Sequence, residues 1–176
     1  MRVLGLTGGI GMGKSTAAAM LRRLHVPVFD ADAAVHALLA RGGKAVAEVA
    51  KHFPGAVAAG AIDRRRLGGI VFADPRALAR LEAILHPLVR EAETRFRCRQ
   101  RRRRARLVAL DFPLLFETGA EWRVDHVVVV SAPGFLQRRR VMARAGASEA
   151  ALKAARARQL PDAVKRRRAD TVVATG

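Results

Sequence analysis

The segment Gly8-Gly9-Ile10-Gly11-Met12-Gly13-Lys14-Ser15 constrains the fold of this chain more than any other stretch. It has the spacing G-x-x-x-x-G-K-S, follows a short apolar run that ends at Thr7, and precedes an alanine-rich stretch over residues 16–24. This order predicts a strand, a glycine loop and a helix, which is the context that a phosphate-binding P-loop requires. The alternative interpretation is a glycine-rich turn ahead of a surface helix.

The residue types of this loop suit the phosphates of ATP. Glycines permit positive φ angles and bring backbone N–H groups close to phosphate oxygens, where the positive end of the helix dipole adds to the attraction. We expect Lys14 to reach the β- and γ-phosphates and the hydroxyl of Ser15 to bind Mg²⁺.

The net charge of +18 raises the question of nucleic acid, and the composition argues against it. Most of the charge is arginine in short runs, and aromatic residues make up only 5% of the chain, so no repeated stacking platform accompanies the arginines. Solvated faces are the favoured interpretation, and a phosphate-rich small substrate is a second use for the charge. We therefore expect no nucleic-acid partner.

Length and cysteine content set further limits. The chain has 176 residues, which suits one domain, and no apolar run approaches the length of a membrane span. Cys98 is the only cysteine, so no intrachain disulfide can form, and a reducing cytoplasm is the expected setting. A monomer is favoured, and the scattered histidines do not predict a structural metal.

Apolar runs alternate with helical patterns along the chain. Five runs predict strands, at residues 3–7, 26–30, 107–111, 125–130 and 170–174. Helical patterns lie between them, and the alternation predicts an α/β fold with a five-stranded parallel sheet flanked by helices. Ligands of such sheets bind at the carboxyl ends of the strands.

Three expectations concern the helical parts. The dipeptide Asp74-Pro75 predicts the start of a helix, and His86-Pro87 predicts that it breaks there and a second helix runs on to about residue 104. Residues 53–62 contain two glycines and a proline and indicate a loop. A helix over residues 134–145, ended by Gly146, is expected to carry its polar residues on one face, at Gln137, Arg140 and Arg144.

Carboxylates follow two of the predicted strands, where the ligand is expected. Asp30 and Asp32 follow the second strand, and Asp111 ends the third. Phosphoryl transfer needs a group that orients or deprotonates the acceptor hydroxyl and a carboxylate near magnesium, so these residues are candidates for both roles. The alternatives are a helix cap for Asp30, a favourable first-turn position for Asp32 and a turn residue for Asp111.

An ordered set of motifs over nearly the whole chain resembles the dephospho-CoA kinase family. The motifs are Thr7-Gly8-Gly9-Ile10-Gly11, Met12-Gly13-Lys14-Ser15-Thr16, Asp30-Ala31-Asp32, Phe72-Ala73-Asp74, His86-Pro87, Pro113-Leu114-Leu115-Phe116-Glu117, Gln137-x-x-Arg140-x-x-x-Arg144, Gln159, Lys165 and Ala169-Asp170. The resemblance implies a P-loop kinase fold that transfers the ATP γ-phosphoryl group to the 3′-hydroxyl of the ribose of dephospho-CoA, with Mg²⁺, ATP and dephospho-CoA as its partners.

The resemblance also implies a role for particular residues. Asp32 would be the catalytic base, and His86 and Pro87 would belong to the acceptor-binding helices. Arg140 and Arg144 would neutralise charge on the transferring oxygens, while Ser15 and Asp111 would serve the metal. The ATP phosphates would be bound by Gly11, Met12, Gly13, Lys14, Ser15 and Thr16. Alternatives are a solvated face for the two arginines and a hydrogen-bonded junction residue for His86.

The same resemblance implies three parts within one domain. A nucleotide-binding core would take residues 1–32, 105–135 and 168–176, a helical acceptor-binding insertion residues 33–104, and a lid residues 136–167. The chain departs from the family at Thr175, where asparagine is common, and family members usually continue past the position of Gly176 into a terminal helix.

Two other functions stay open: a kinase for another nucleoside or nucleotide acceptor, and a basic nucleic-acid-binding P-loop ATPase.

Overall fold

Five apolar strands form one parallel sheet in the computed structural model, which describes residues 1–144 and 148–176. The elements in chain order are β1 (Arg2–Thr7), α1 (Lys14–Arg23), β2 (Val28–Asp30), α2 (Ala31–Leu39), α3 (Val46–His52), β3 (Val57–Ala58), β4 (Ala61–Ile62), α4 (Arg64–Val71), α5 (Pro75–Arg102), β5 (Leu107–Asp111), β6 (His126–Ser131), α6 (Gly134–Met142), α7 (Glu149–Ala157), α8 (Asp162–Arg168) and β7 (Thr171–Ala174). The order of strands in the sheet is β2-β5-β1-β6-β7, which confirms the predicted α/β fold.

The pairing of the strands places Asp111, a predicted site residue, at the carboxyl end of the sheet. β1 lies between β5 and β6, and Leu6 pairs with Asp111, so the carboxylate ends its strand beside the start of the glycine loop. Aspartates ahead of two strands fix this register: Asp125 Oδ2 accepts the N–H of Val3 at 2.7 Å, and Asp170 Oδ2 accepts the N–H of Val127 at 2.7 Å.

The chain divides into two compact units. One comprises Met1–Phe29 and Gln100–Gly176 and contains the sheet, in which Leu6, Val128 and Val130 pack with Ala18 of α1. The other comprises Asp30–Arg99 and is built around its own apolar core. That core contains Leu38, Leu39, Ala45, Val49, Phe53, Ala56, Ile62, Leu67, Val71, Leu81 and Leu85.

The predicted break at His86-Pro87 is wrong, because α5 continues through both residues. An interior proline removes one helical hydrogen bond and costs about 3 kcal/mol. The apolar face of α5 packs into the core on both sides of the proline, with Leu81 and Leu85 before it and Leu88 after it. Each such side chain contributes about 1.5–3 kcal/mol on burial, so packing outweighs the cost of the proline.

Two further expectations need correction. Residues 53–62 are not a simple loop: a 3₁₀-helix at Pro54–Ala56 leads into an antiparallel pair of strands, β3 and β4. The helix predicted to reach residue 145 ends at Met142, and the N–H of Arg144 donates to Val141 O at 3.0 Å in a tighter turn. Arg144 therefore does not share a helical face with Arg140. The predicted stop at Gly146 lies outside the described residues.

Within the part of the chain that the structure describes, none of the helices combines the length and the apolar character needed to cross a membrane.

Candidate active site

The glycine loop has the backbone shape that its sequence predicts. Gly11 has φ +73°, and Gly13, with φ +90°, is the residue before α1. The first helical hydrogen bonds begin at Thr16 and Ala17, whose N–H groups donate to Gly13 O at 3.0 and 3.1 Å. The N–H groups ahead of them have no helical carbonyl to reach, as at every helix N-terminus, so they suit an anion such as phosphate.

Lys14 and Asp111 form an ion pair at the carboxyl edge of the sheet. Lys14 Nζ donates to Asp111 Oδ1, and the aspartate is only 4% exposed. An ammonium group has three donors, so Lys14 can keep this contact and still donate to phosphate oxygens. The pair fixes the positive charge beside the glycine loop.

The residues around this pair fit a magnesium ion. Ser15 is exposed in the first turn of α1, and Asp111 places a carboxylate next to Lys14. Hydroxyl and carboxylate oxygens are the ligand types that Mg²⁺ prefers, and it usually takes only one or two protein ligands beside water and phosphates. The two predicted metal residues are therefore chemically suited to it.

Arg140 is held at the end of β7. Its Nη1 donates to Thr175 Oγ1 at 2.9 Å and its Nη2 donates to Thr175 O at 2.8 Å. Thr175 Oγ1 in turn donates to Met12 O at 2.8 Å. Thr175, the residue at which the chain departs from the family pattern, thus contacts the glycine loop at Met12. Arg140 is linked to the loop through the hydroxyl of Thr175. Arg144 is exposed beyond the end of α6.

Asp30 and Asp32 belong to the unit that comprises Asp30–Arg99, and their surroundings differ. Asp30 Oδ1 accepts the N–H of Ala33 at 2.9 Å, so Asp30 caps α2. Asp32 is the second residue of α2, in its first turn, and its side chain is exposed. A carboxylate in the first turn is stabilised by the helix dipole while its oxygens stay accessible to a ligand.

A pocket of about 540 Å³, which we call the α2 pocket, lies along α2 in the same unit. The pocket residues that come from α2 are spaced three and four positions apart, so they share one face of the helix. Asp32 precedes one of them, His36, by one helical turn. Arg64 Nη1 donates to His36 Nδ1 at 2.9 Å, which places a guanidinium group at the pocket. The pocket is lined by Ala33, His36, Ala37, Leu39, Ala40, Ala61, Ile62 and Arg64.

The position of Arg64 follows from the start of α4. Asp63 caps this helix by accepting the N–H groups of Arg65 and Arg66 at 2.9 and 3.1 Å. The hydrogen bond from Arg66 N–H, followed by that from Arg65, lowers the pKa of Asp63. Sequence reasoning missed Arg64, because it stands in a run of three arginines of which any could be solvated.

The structure does not bring His86 and Pro87 to this pocket. Both are exposed on α5, and neither is among the described residues that line the α2 pocket. Gln137 and Gln159 were assigned no role from sequence, yet both contact the glycine loop. The sequence signals for them were their place in the motif set and, for Gln137, its position on the expected polar face of the helix.

The glycine loop also allows a test of how closely α6 approaches it. Gly11 and Gly42 have nearly the same φ, +73° and +75°, so alanine meets the same backbone strain at both. A Cβ at Gly11 would lie 2.7 Å from Val141 Cγ2 and 2.9 Å from Gln137 O, whereas no described atom lies within 4 Å at Gly42. We expect Gly11→Ala to lower the free energy of unfolding by about 1–3 kcal/mol more than Gly42→Ala, measured by urea denaturation. Equal losses would contradict the close approach of α6.

A parallel sheet, a G-x-x-x-x-G-K-S loop between β1 and α1, and a buried aspartate paired with the loop lysine define a P-loop nucleotide-binding protein. The dephospho-CoA kinase family model matches residues 2–176, and the chain belongs to that family. It is thus an ATP-dependent enzyme of the phosphotransferase class with an alcohol acceptor. The two other functions, a different acceptor and a nucleic-acid-binding ATPase, are not favoured.

Similar proteins from other organisms support this assignment. A dephospho-CoA kinase of Paramagnetospirillum magneticum is 66% identical over 166 residues, which cover 94% of this chain and 78% of the relative. The crystal structure of TT1252 from Thermus thermophilus has a TM-score of 0.88 and 42% identity, covering 99% of this chain and 88% of that one. A dephospho-CoA kinase from Campylobacter jejuni has a TM-score of 0.70 and 28% identity, covering 99% and 89%.

Proposed function

We propose that this chain transfers the γ-phosphoryl group of ATP to the 3′-hydroxyl of the ribose of dephospho-CoA, giving coenzyme A and ADP. The observation that carries the proposal is the glycine loop with its Lys14–Asp111 pair, in a chain of the dephospho-CoA kinase family. We assign the donor to the unit that contains the sheet and the acceptor to the unit that contains Asp32.

On the donor side, the loop over residues 11–16 binds the phosphates through the N–H groups that its internal hydrogen bonds leave available, and Lys14 carries the positive charge. The Lys14 ammonium stabilises the negative charge that the γ-phosphoryl oxygens carry during transfer. Ser15 and Asp111 would hold Mg²⁺, which would supply further positive charge to offset that of the phosphates.

On the acceptor side, Asp32 is the general base. Its carboxylate takes the proton of the 3′-hydroxyl as that oxygen forms a bond to the γ-phosphorus. The bond between the γ-phosphorus and the oxygen that bridges to the β-phosphate breaks, and its electron pair leaves with ADP. Atoms and charge balance without any further reactant.

The α2 pocket fits the rest of the acceptor. Dephospho-CoA carries a diphosphate on the same ribose as the reacting hydroxyl and a long arm beyond it. The Arg64 guanidinium matches a diphosphate, and the alanine, leucine and isoleucine side chains of the pocket suit the less polar arm. Asp32 lies one helical turn before His36, a lining residue of this pocket, which supports its assignment as the base for an acceptor bound there.

Arg64 supplies the test of this acceptor site. Replacing it with methionine removes charge-assisted hydrogen bonds worth about 1.5–3 kcal/mol, so the KM for dephospho-CoA should rise about 10- to 100-fold. The KM for ATP should stay unchanged. The matched control is Arg65→Met, which removes an exposed arginine from the same helix without touching the pocket. An unchanged KM for dephospho-CoA in Arg64→Met would contradict the acceptor assignment.

The remaining assignments extend this proposal. Arg140 and Arg144 neutralise the transferring charge, which requires Arg140 to exchange Thr175 for phosphate oxygens. Residues 136–167 act as the lid, and residues 33–104, including His86 and Pro87, as the acceptor-binding insertion. The enzyme works as a monomer in the cytoplasm on ATP and dephospho-CoA, without a nucleic-acid partner, and the exposed thiol of Cys98 suits a reducing compartment.

A further inference from the structure

Two glutamines from late in the chain hold one residue of the glycine loop from outside. Gln159 Oε1 accepts the N–H of Ile10 at 3.0 Å, and Gln137 Nε2 donates to Ile10 O at 2.8 Å. Gln137 belongs to α6, and Gln159 lies two residues beyond the end of α7. The backbone N–H and C=O of Ile10 are therefore both hydrogen-bonded to side chains that lie more than a hundred residues away in the sequence.

Arg156 fixes the orientation of one of these amides. Its Nε donates to Gln137 Oε1 at 3.2 Å, so the Nε2 end of the amide is the one that meets Ile10 O. Gln137 is only 6% exposed, so a reversed amide would place its NH₂ group against the guanidinium with no water to separate them. Gln137 thus acts as a donor to the loop, whereas Gln159 acts as an acceptor.

The bond to Ile10 O has a consequence for the phosphate-binding side of the loop. The peptide between Ile10 and Gly11 is planar and trans, so its C=O and N–H point in opposite directions. Because Gln137 draws Ile10 O toward itself, the N–H of Gly11 points away from Gln137. The hydroxyl of Thr175 does the same at Met12 O, which turns the N–H of Gly13 away from Thr175.

We propose that Gln137 and Gln159 are positioning residues that aim the Gly11 N–H at the donor phosphates by holding the two peptides that flank Ile10. This inference rests on the proposed function only for the identity of the donor as ATP. It assigns the two glutamines opposite hydrogen-bonding roles. A carboxylate can replace the acceptor Gln159 but cannot replace the donor Gln137.

The test compares Gln137→Glu with Gln159→Glu in the full-length protein. Both variants add one negative charge beside the same loop residue, and Arg156 would offset that of Gln137→Glu, so simple repulsion of ATP would not make Gln137→Glu the weaker binder. We expect Gln137→Glu to weaken ATP binding about tenfold or more, because a carboxylate cannot donate to Ile10 O. We expect Gln159→Glu to stay within about threefold of the unaltered protein, while Gln159→Leu loses about tenfold. Affinity is measured by titration with ATP in the absence of acceptor.

Three further measurements test the proposal: the ATP affinity of Gln137→Met, the melting temperature of each variant, and the binding of dephospho-CoA. Gln137→Met has a similar volume and no charge, and it should lose ATP affinity like Gln137→Glu even if the carboxylate variant folds poorly. Equal losses in both glutamate variants would overturn the proposal, and so would a lowered melting temperature with unchanged ATP affinity. Dephospho-CoA binding should stay unchanged in all variants. Failure of the unaltered chain to phosphorylate dephospho-CoA would instead contradict the proposed function, since ATP titration needs no acceptor.

Discussion

Replacing Lys14 with methionine should lower kcat about 1000-fold in an ADP-release assay with dephospho-CoA as acceptor. The substitution removes the positive charge that the glycine loop presents to the transferring phosphoryl group. It also deprives the buried Asp111 of its ammonium partner, which should lower the free energy of unfolding by about 1–3 kcal/mol. Activity and stability are therefore both expected to fall, for different reasons.

A second substitution separates these two effects. Adding Asp111→Asn to Lys14→Met removes the carboxylate that lost its ammonium partner, so most of the lost stability should return, while kcat stays low because the double variant lacks both the loop charge and a carboxylate that we assign to Mg²⁺. Lys153→Met is the matched control, because Lys153 is an exposed lysine of α7 outside the candidate site. Recovery of kcat together with stability in the double variant would contradict a direct role of Lys14 in phosphoryl transfer.

Replacing Asp32 with asparagine should lower kcat about 100- to 10,000-fold, since an amide cannot accept the proton of the 3′-hydroxyl. The stability of the protein should hardly change, because the side chain is exposed and Asp30, not Asp32, caps α2. The KM for ATP should also stay unchanged. The variant thus separates proton transfer from folding and from donor binding, as measured by steady-state kinetics and thermal melting.

A matched substitution controls for the loss of a carboxylate at a helix start. Asp74 is exposed, and its Oδ1 accepts the N–H of Arg76 at 2.8 Å at the beginning of α5. Asparagine caps a helix about as well as aspartate, so Asp74→Asn should leave both stability and kcat as they are. An Asp32→Asn enzyme that turned over as fast as the Asp74→Asn control would remove Asp32 as the base.

The centre of the sheet could be predicted from sequence because β5 and β6 are buried on both faces. Residues 108–111 of β5 and 127–131 of β6 are all buried, and such strands appear in the sequence as nearly continuous apolar runs. The continuity of α5 could not be predicted in the same way. Local rules break a helix at His86-Pro87, and only the packing of Leu85 and Leu88 in the folded unit shows why it continues.

The candidate site also combines residues that the sequence could predict with residues whose contacts only the folded structure shows. Lys14 and Asp111 could be predicted as neighbours because a parallel sheet aligns the carboxyl ends of its strands. The contacts of Gln137 and Gln159 could not, because their place in the motif set does not show what they bind and their partner Ile10 is far away along the chain. Arg64 was hidden for another reason: the chain has so many arginines that charge alone does not single one out.

The most direct test of the account follows the phosphorus atoms through one reaction. Purified protein is incubated with ATP, Mg²⁺ and dephospho-CoA, and the products are followed by ³¹P NMR. We expect a new phosphomonoester signal on the 3′-oxygen of the acceptor, which grows in step with ADP and grows about 100- to 10,000-fold more slowly with Asp32→Asn. ADP formation without that signal, or an equal signal with Asp32→Asn, would contradict it.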